Sequence, residues 1–109
     1  MKKFILLFAV SLFLVAGSAI AEEGHGNLKV GGVCEMCKTR IEKAAKSVEG
    51  VATAVWNTES QQLHIHFDTG KTNLETISKA IAKSGHDTDK DKADAKTYNA
   101  LPNCCKYRK

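Results

Sequence analysis

The hydrophobic pattern predicts an α+β sandwich, an open antiparallel sheet with two helices on one face. Three observations predict it. Two amphipathic helical stripes flank a β-hairpin pattern, a glycine stands where each helix should stop, and the chain has room for one small domain with a thin core.

That last point rests on setting aside the first 21 of 109 residues. Met1-Lys2-Lys3 is a short positive start, Phe4 to Ala16 is an apolar run broken only by Ser11, and Ala19-Ile20-Ala21 places small residues at the −3 and −1 positions of a cleavage site. The run is shorter than the roughly 20 residues a spanning helix needs. Residues 1–21 are therefore expected to be a secretory signal peptide, with no membrane anchor after cleavage and a periplasmic or extracellular destination. No Cys follows the run to carry a lipid. Removing Lys2 and Lys3 lowers the formal net charge from +4 to +2. Both signs are interspersed and few aromatics remain, so nucleic-acid binding has no support.

Glu22 to Gly26 reads as a polar lead-in carrying His25. Leu28, Val30 and Val33 begin a short strand that runs into Gly31-Gly32. From Cys37 to Val48 the apolar residues Ile41, Ala44, Ala45 and Val48 form a helical stripe, which Gly50 should end. Val51 to Trp56 reads as a strand, Asn57-Thr58-Glu59-Ser60 as a turn, and Leu63, Ile65 and Phe67 alternate with His64, His66 and Asp68 as a half-buried strand. Leu74, Ile77 and Ile81 mark the second helix, with Thr72 or Asn73 as its N-cap and Gly85 as its terminator. Asp87 to Lys96 is too charged for more than an edge strand followed by a linker. Tyr98, Leu101 and Pro102 then precede Cys104-Cys105 and a basic end. The expected layout is a signal peptide (1–21), a lead-in (22–26), one domain (27–89) and a C-terminal tail (90–109).

The chemistry lies in Cys34-Glu35-Met36-Cys37, on the turn between the first strand and the first helix. Two thiols three positions apart can converge on one point, and the N–H groups at a helix start favour thiolate. Such a pair selects soft or borderline metals, Cu(I) or Zn(II). A structural zinc site closes with four ligands, and no second pair at finger-like spacing follows. A two-sulfur site on a loop stays open and can pass its metal on, which argues for a carrier.

The run Gly31-Gly32-Val33-Cys34-Glu35-Met36-Cys37, followed by helix, hairpin and helix, resembles the heavy-metal-associated (HMA) domain over about residues 27–89. That family includes copper chaperones, the N-terminal modules of metal-pumping ATPases and the periplasmic mercury-binding protein. The resemblance implies a ferredoxin-like βαββαβ fold and Cys34 and Cys37 as metal ligands. It implies Cu(I) as the cargo, with Hg(II) and Zn(II) as alternatives, and a metal-transporting membrane protein or another metal acceptor as partner. The usual motif is Gly-Met-Thr-Cys-x-x-Cys. Here Gly31 is kept while Gly32 and Val33 replace the Met and Thr, so a more mobile loop is expected, with Met36 either filling the space or lying in solvent. Gly85-His86-Asp87 falls where the family places a loop residue facing the metal, which makes His86 a candidate third ligand or tuning group against the reading of an exposed loop histidine.

Other histidines have plainer readings. His64 and His66 share one strand face, as a two-His clip requires, yet fit as well the wet side of that strand. His25 reads as a flexible terminal residue. Adjacent cysteines bridge each other only through a strained ring, which leaves three readings for Cys104-Cys105: added thiolate ligands brought to Cys34 and Cys37 by a folded tail, a disulfide staple, or exposed thiols joining two chains into a metal- or disulfide-linked dimer. If the tail folds back, Tyr98, Leu101 and Pro102 would dock it. The chain reads as an exported soft-metal carrier and not an enzyme, since no nucleophile and base or carboxylate pair stands out. Thiol–disulfide exchange by the same cysteine pair is the alternative, and a disulfide-stapled binding module is a third.

Overall fold

Strict alternation in Gln62–Asp68 sets the centre of the sheet. This strand, β3, buries Leu63, Ile65 and Phe67 on one face and leaves His64 and His66 exposed on the other. The computed structural model describes residues 23–108, so the expected signal peptide lies outside the described residues. Strand β2 (Val51–Trp56) and strand β1 (Glu23–Lys29) pair antiparallel on either side of β3, giving the order β1-β3-β2. The β2–β3 turn forms as its sequence suggests. Asn57 Oδ1 accepts the N–H groups of Glu59 and Ser60, each at 2.9 Å, an Asx-type closure.

Helix α1 (Glu35–Lys46) buries Cys37, Ile41 and Ala45, and α2 (Leu74–Lys83) buries Ile77, Ile81 and Ala82. Both pack on the sheet face that carries Leu28, Trp56 and Leu63, which together form the core. Asn73 is the N-cap of α2, its Oδ1 accepting from Thr76 N–H at 2.8 Å. Gly85, with φ of +107°, ends that helix. A Cβ there would also stand 2.8 Å from Leu101 Cδ2, so the same glycine turns the chain and leaves room for the tail. No helix among the described residues is long and apolar enough to cross a membrane.

Three expectations need correction. Residues 23–26 are not a lead-in but the first half of β1, with His25 opposite His66. Glycine and histidine hide this strand from propensity; β3 supplies its ladder, and Gly26 lacks the Cβ that would meet Leu74 Cδ1 at 2.7 Å. The last edge strand is reduced to a single bridge, Val30 to Thr88. The Thr88 hydroxyl accepts from Lys90 and Asp91 N–H at 3.0 and 2.9 Å, and this local turn draws the chain off the sheet edge. Lastly, the segment after it is more than a linker. Asp94 caps a short helix, α3 (Ala95–Asn99), which buries Tyr98, and the tail beyond buries Leu101 and Cys105 against the domain.

Candidate metal centre

The loop from Gly31 to Val33 joins the end of β1 to α1, whose N-cap is Cys34. Three successive carbonyls around this loop each accept a side-chain hydrogen bond from a different part of the fold. Trp56 Nε1–H reaches Val30 O at 3.1 Å, His86 Nδ1 reaches Gly31 O at 2.8 Å, and Gln61 Nε2 reaches Gly32 O at 2.6 Å. The Trp56 indole lies beneath Gly32, where a Cβ would be 3.0 Å from Trp56 Cη2 and from Cys37 Cβ. The ring thus fills the space below the loop, while Met36 is 49% exposed. The carbonyls of Val30, Gly31 and Gly32 are thus all occupied, restraints that the Gly-Gly-Val sequence does not itself reveal.

Four thiols gather at this end of the sheet, all of them free. The Cys34 sulfur is 3.3 Å from that of Cys37 and 3.8 Å from that of Cys105. Val33 N–H donates to Cys37 Sγ at 3.4 Å. The sulfurs of Cys34, Cys104 and Cys105 lie within 4.8 Å of one another, and Cys104 Sγ is 3.7 Å from Met36 Sδ. Of the readings open for Cys104-Cys105, the folded tail is the one this geometry matches. Metal–sulfur bonds of about 2.3 Å put the sulfurs of a trigonal site about 4 Å apart and those of a linear site about 4.6 Å apart. The Cys34–Cys105 spacing of 3.8 Å is close to the trigonal value and the Cys34–Cys37 spacing of 3.3 Å is shorter than either, so a three-coordinate soft cation is the nearer match to these donors.

One sulfur is prepared to be charged. Burial alone would raise the Cys34 thiol, but the Cys37 backbone N–H and the thiols of Cys37, Cys104 and Cys105 point at it and bring it down from 9.0 to about 7. Cys105 moves the other way, pushed up by burial and by the sulfurs of Cys37 and Cys34. Cys104 is also raised, its proton held by the hydrogen bond to Cys34. The metal-free site is one thiolate among thiol donors. Because the thiolate is the nucleophile, alkylation of Cys34 in reduced, metal-free protein is expected to rise with pH through a midpoint near 7, with Cys104 reacting only at higher pH. Peptide mapping after iodoacetamide treatment measures this, and a Cys34 midpoint at its ordinary 9.0 would contradict it.

The tail is docked by two aromatic side chains and an arginine. Tyr107 Oη accepts Asp87 N–H at 2.6 Å and donates to Gly85 O at 3.0 Å, and its ring stacks on His86 with centroids 5.5 Å apart. Arg108 grips Asp87 through Nη2 to Oδ1 at 2.7 Å and Nε to Oδ2 at 3.1 Å, and its guanidinium lies 4.3 Å from the centre of the Tyr98 ring. Burial would raise the Asp87 carboxyl, but Arg108 and the Ala93 N–H hold it below its ordinary value. Pro102 opens a 3₁₀ turn (Asn103–Cys105) that carries Cys105 inward and leaves Cys104 exposed.

His86 is fully buried and lies outside the convergent sulfur group. Burial lowers its pKa, keeping the ring neutral, so Nδ1–H can donate to Gly31 O while Nε2 has no partner. Its observed role is to hold the loop. His64 and His66 stand on the open sheet face, where the His25 ring lies 5.5 Å from that of His66; none of the three joins the thiols. Gln61, Tyr107 and Arg108 carried no sequence signal for the site, since each acts through a partner distant along the chain.

A model of the heavy-metal-associated domain matches residues 27–87. The mercuric transport protein periplasmic component of Pseudomonas aeruginosa is 32% identical over 87 residues, which is 79% of this chain and 93% of that protein. The copper chaperone CopZ of Staphylococcus aureus is 33% identical over 54 residues, 50% of this chain and 79% of that protein. The crystal structure of oxidized MerP from Ralstonia metallidurans CH34 superposes with a TM-score of 0.60 at 30% identity, covering 62% of this chain and 96% of that one.

Proposed function

The chain belongs to the heavy-metal-associated domain family, and from that premise we propose that it is an exported carrier of a soft cation, Cu(I) first, held by the sulfurs of Cys34, Cys37 and Cys105. One observation carries the reading: two further thiols stand within 3.8 Å of the Cys34 sulfur on a loop fixed by three hydrogen bonds. Sulfur donors favour Cu(I), and the same set accommodates Hg(II) or Zn(II). Binding releases the remaining thiol protons to solvent, and Cys34, lowered to about 7, gives up its proton most easily near neutral pH.

Transfer follows from coordination number. A thiolate of the acceptor adds to the three-coordinate cation from the exposed side as one of the carrier's own sulfurs lets go, so the metal is never free. Export is supported by the leader-like residues 1–21 and by similarity to a periplasmic transport component. A metal-transporting membrane protein is the acceptor that suits such a carrier. The domain over 27–89 supplies Cys34 and Cys37, and the tail over 90–109 supplies the third sulfur.

Titration of the reduced protein with Cu(I) against a competing chelator tests the reading. Tight binding is expected in the natural chain and its loss in a Cys34→Ser, Cys37→Ser double variant; retained affinity there would refute the assignment. Reduction of insulin disulfides by the metal-free protein would instead favour thiol–disulfide exchange.

A further inference from the structure

We propose that each chain carries two Cu(I) ions, the second held by Cys104, the thioether of Met36 and a Cys34 sulfur shared between both ions. This rests on the carrier reading and extends it to an outer site. The inner set of Cys34, Cys37 and Cys105 leaves two soft donors unused at its rim. They are not scattered, because Cys104 Sγ lies 3.7 Å from Met36 Sδ, and the Cys104 sulfur is within 4.8 Å of both Cys34 and Cys105.

The donor arithmetic fits. Two three-coordinate ions need six donor positions, and five sulfurs provide six when Cys34 bridges. Cys34 is the sulfur common to both sets, with Cys37 at 3.3 Å, Cys105 at 3.8 Å and Cys104 within 4.8 Å. A bridging thiolate with bonds of about 2.3 Å keeps the two ions within about 4.6 Å of each other. The thioether narrows the cargo. A neutral sulfur suits soft Cu(I), whereas zinc draws its ligands from thiolate, imidazole and carboxylate.

Exposure gives the outer set its use. Met36 is 49% exposed and Cys104 is exposed, whereas Cys37 and Cys105 are buried. An arriving ion meets the outer sulfurs first and can pass inward through Cys34 without leaving sulfur. Each step exchanges one Cu–S bond for another, and the protons of the thiols engaged go to solvent.

Anaerobic Cu(I) titration of the reduced natural chain against a bathocuproine-type chelator, with native mass spectrometry counting ions per chain, tests this. Two ions on a single chain are expected, together with a copper–copper distance in X-ray absorption. Cys104→Ser and Met36→Leu are each expected to lower the count to one and remove that distance. Val55→Ala, at an exposed position of β2 with no part in the sulfur site, should keep both. A natural chain that stops at one ion, a Cys104→Ser, Met36→Leu double variant that still holds two, or a second ion found only between two chains would overturn the outer site and leave the carrier reading standing. Absence of any tight Cu(I) would bring down both.

Discussion

Trp56→Ala is expected to remove most of the folding stability of the metal-free domain and, with it, the order of the sulfur loop. Trp56 is 1% exposed; its indole seats the sulfur loop, and its backbone, which the substitution leaves in place, ties β2 to α1. Its ring lies under Gly32, its Nε1–H holds Val30 O at 3.1 Å, its backbone N–H donates to Glu42 Oε2 at 2.9 Å, and its carbonyl accepts from Lys38 Nζ at 2.9 Å. Truncating a buried Trp to Ala destabilises by about 3–5 kcal/mol. The orphaned Val30 carbonyl adds about 1–3 kcal/mol unless water reaches it. Small domains are stable by only about 5–10 kcal/mol. A fall of at least roughly 15 °C in Tm is therefore expected, at about 4–8 °C per kcal/mol for a domain of this size. Thermal unfolding followed by circular dichroism measures it. Trp56→Phe keeps most of the apolar volume and loses the N–H, so its smaller drop separates packing from the hydrogen bond. Saturating Cu(I) should recover part of the loss, since a ligand bound only by the native state stabilises it. A shift of a few degrees for Trp56→Ala would mean the ring does not seat the loop.

How much of this was legible in the sequence follows from how local each feature is. Helix α2 is set by its own stripe, the Asn73 cap and Gly85, all within a dozen residues, and the β2–β3 turn closes on the Asn57 side chain alone. Cys34 and Cys37 could be named because a spacing of three at a helix start brings two thiols together whatever the rest of the chain does. The features that escaped are made by distant partners. Residues 23–26 become a strand only because β3 offers them a ladder. Tyr107 and Arg108 look like an ordinary basic end until Gly85 and Asp87 are placed beneath them. The hydrogen bonds that hold the Gly31-Gly32 loop come from Trp56, Gln61 and His86, none of them near it in sequence. Cys104-Cys105 stood between: its chemistry was visible, and its destination depended on whether the tail folds back.

Cys105→Ser is expected to lower Cu(I) affinity by at least about 10- to 100-fold, the loss usual for removing even a group that only supports a ligand, and to change the coordination seen by X-ray absorption from three sulfurs toward two. Cys105 is fully buried, so serine at its place puts a harder oxygen where a soft donor stood without freeing the tail. Arg108→Ala separates ligation from docking. The Arg108–Asp87 pair is partly solvated, at 33% and 23% side-chain exposure, and such a pair contributes at most about 1 kcal/mol. That shifts a docking equilibrium by roughly fivefold, while Tyr98, Leu101 and Tyr107 still hold the tail. Arg108→Ala also removes the Nη2 hydrogen bond to Ala93 O and the contact with the Tyr98 ring, so it should weaken Cu(I) binding by more than that factor yet by less than Cys105→Ser, and leave three sulfurs on the metal. Acid acts on the same pair with a defined sign. The Asp87 carboxyl sits below its ordinary 3.8, so its contribution is present above that value and is lost only as pH falls through the lower folded value. Docking through this pair is thus intact across the neutral range in which the carrier would work. If Arg108→Ala were to weaken binding as much as Cys105→Ser, the tail would be acting as a cover. If neither changed the affinity, Cys34 and Cys37 would hold the metal alone.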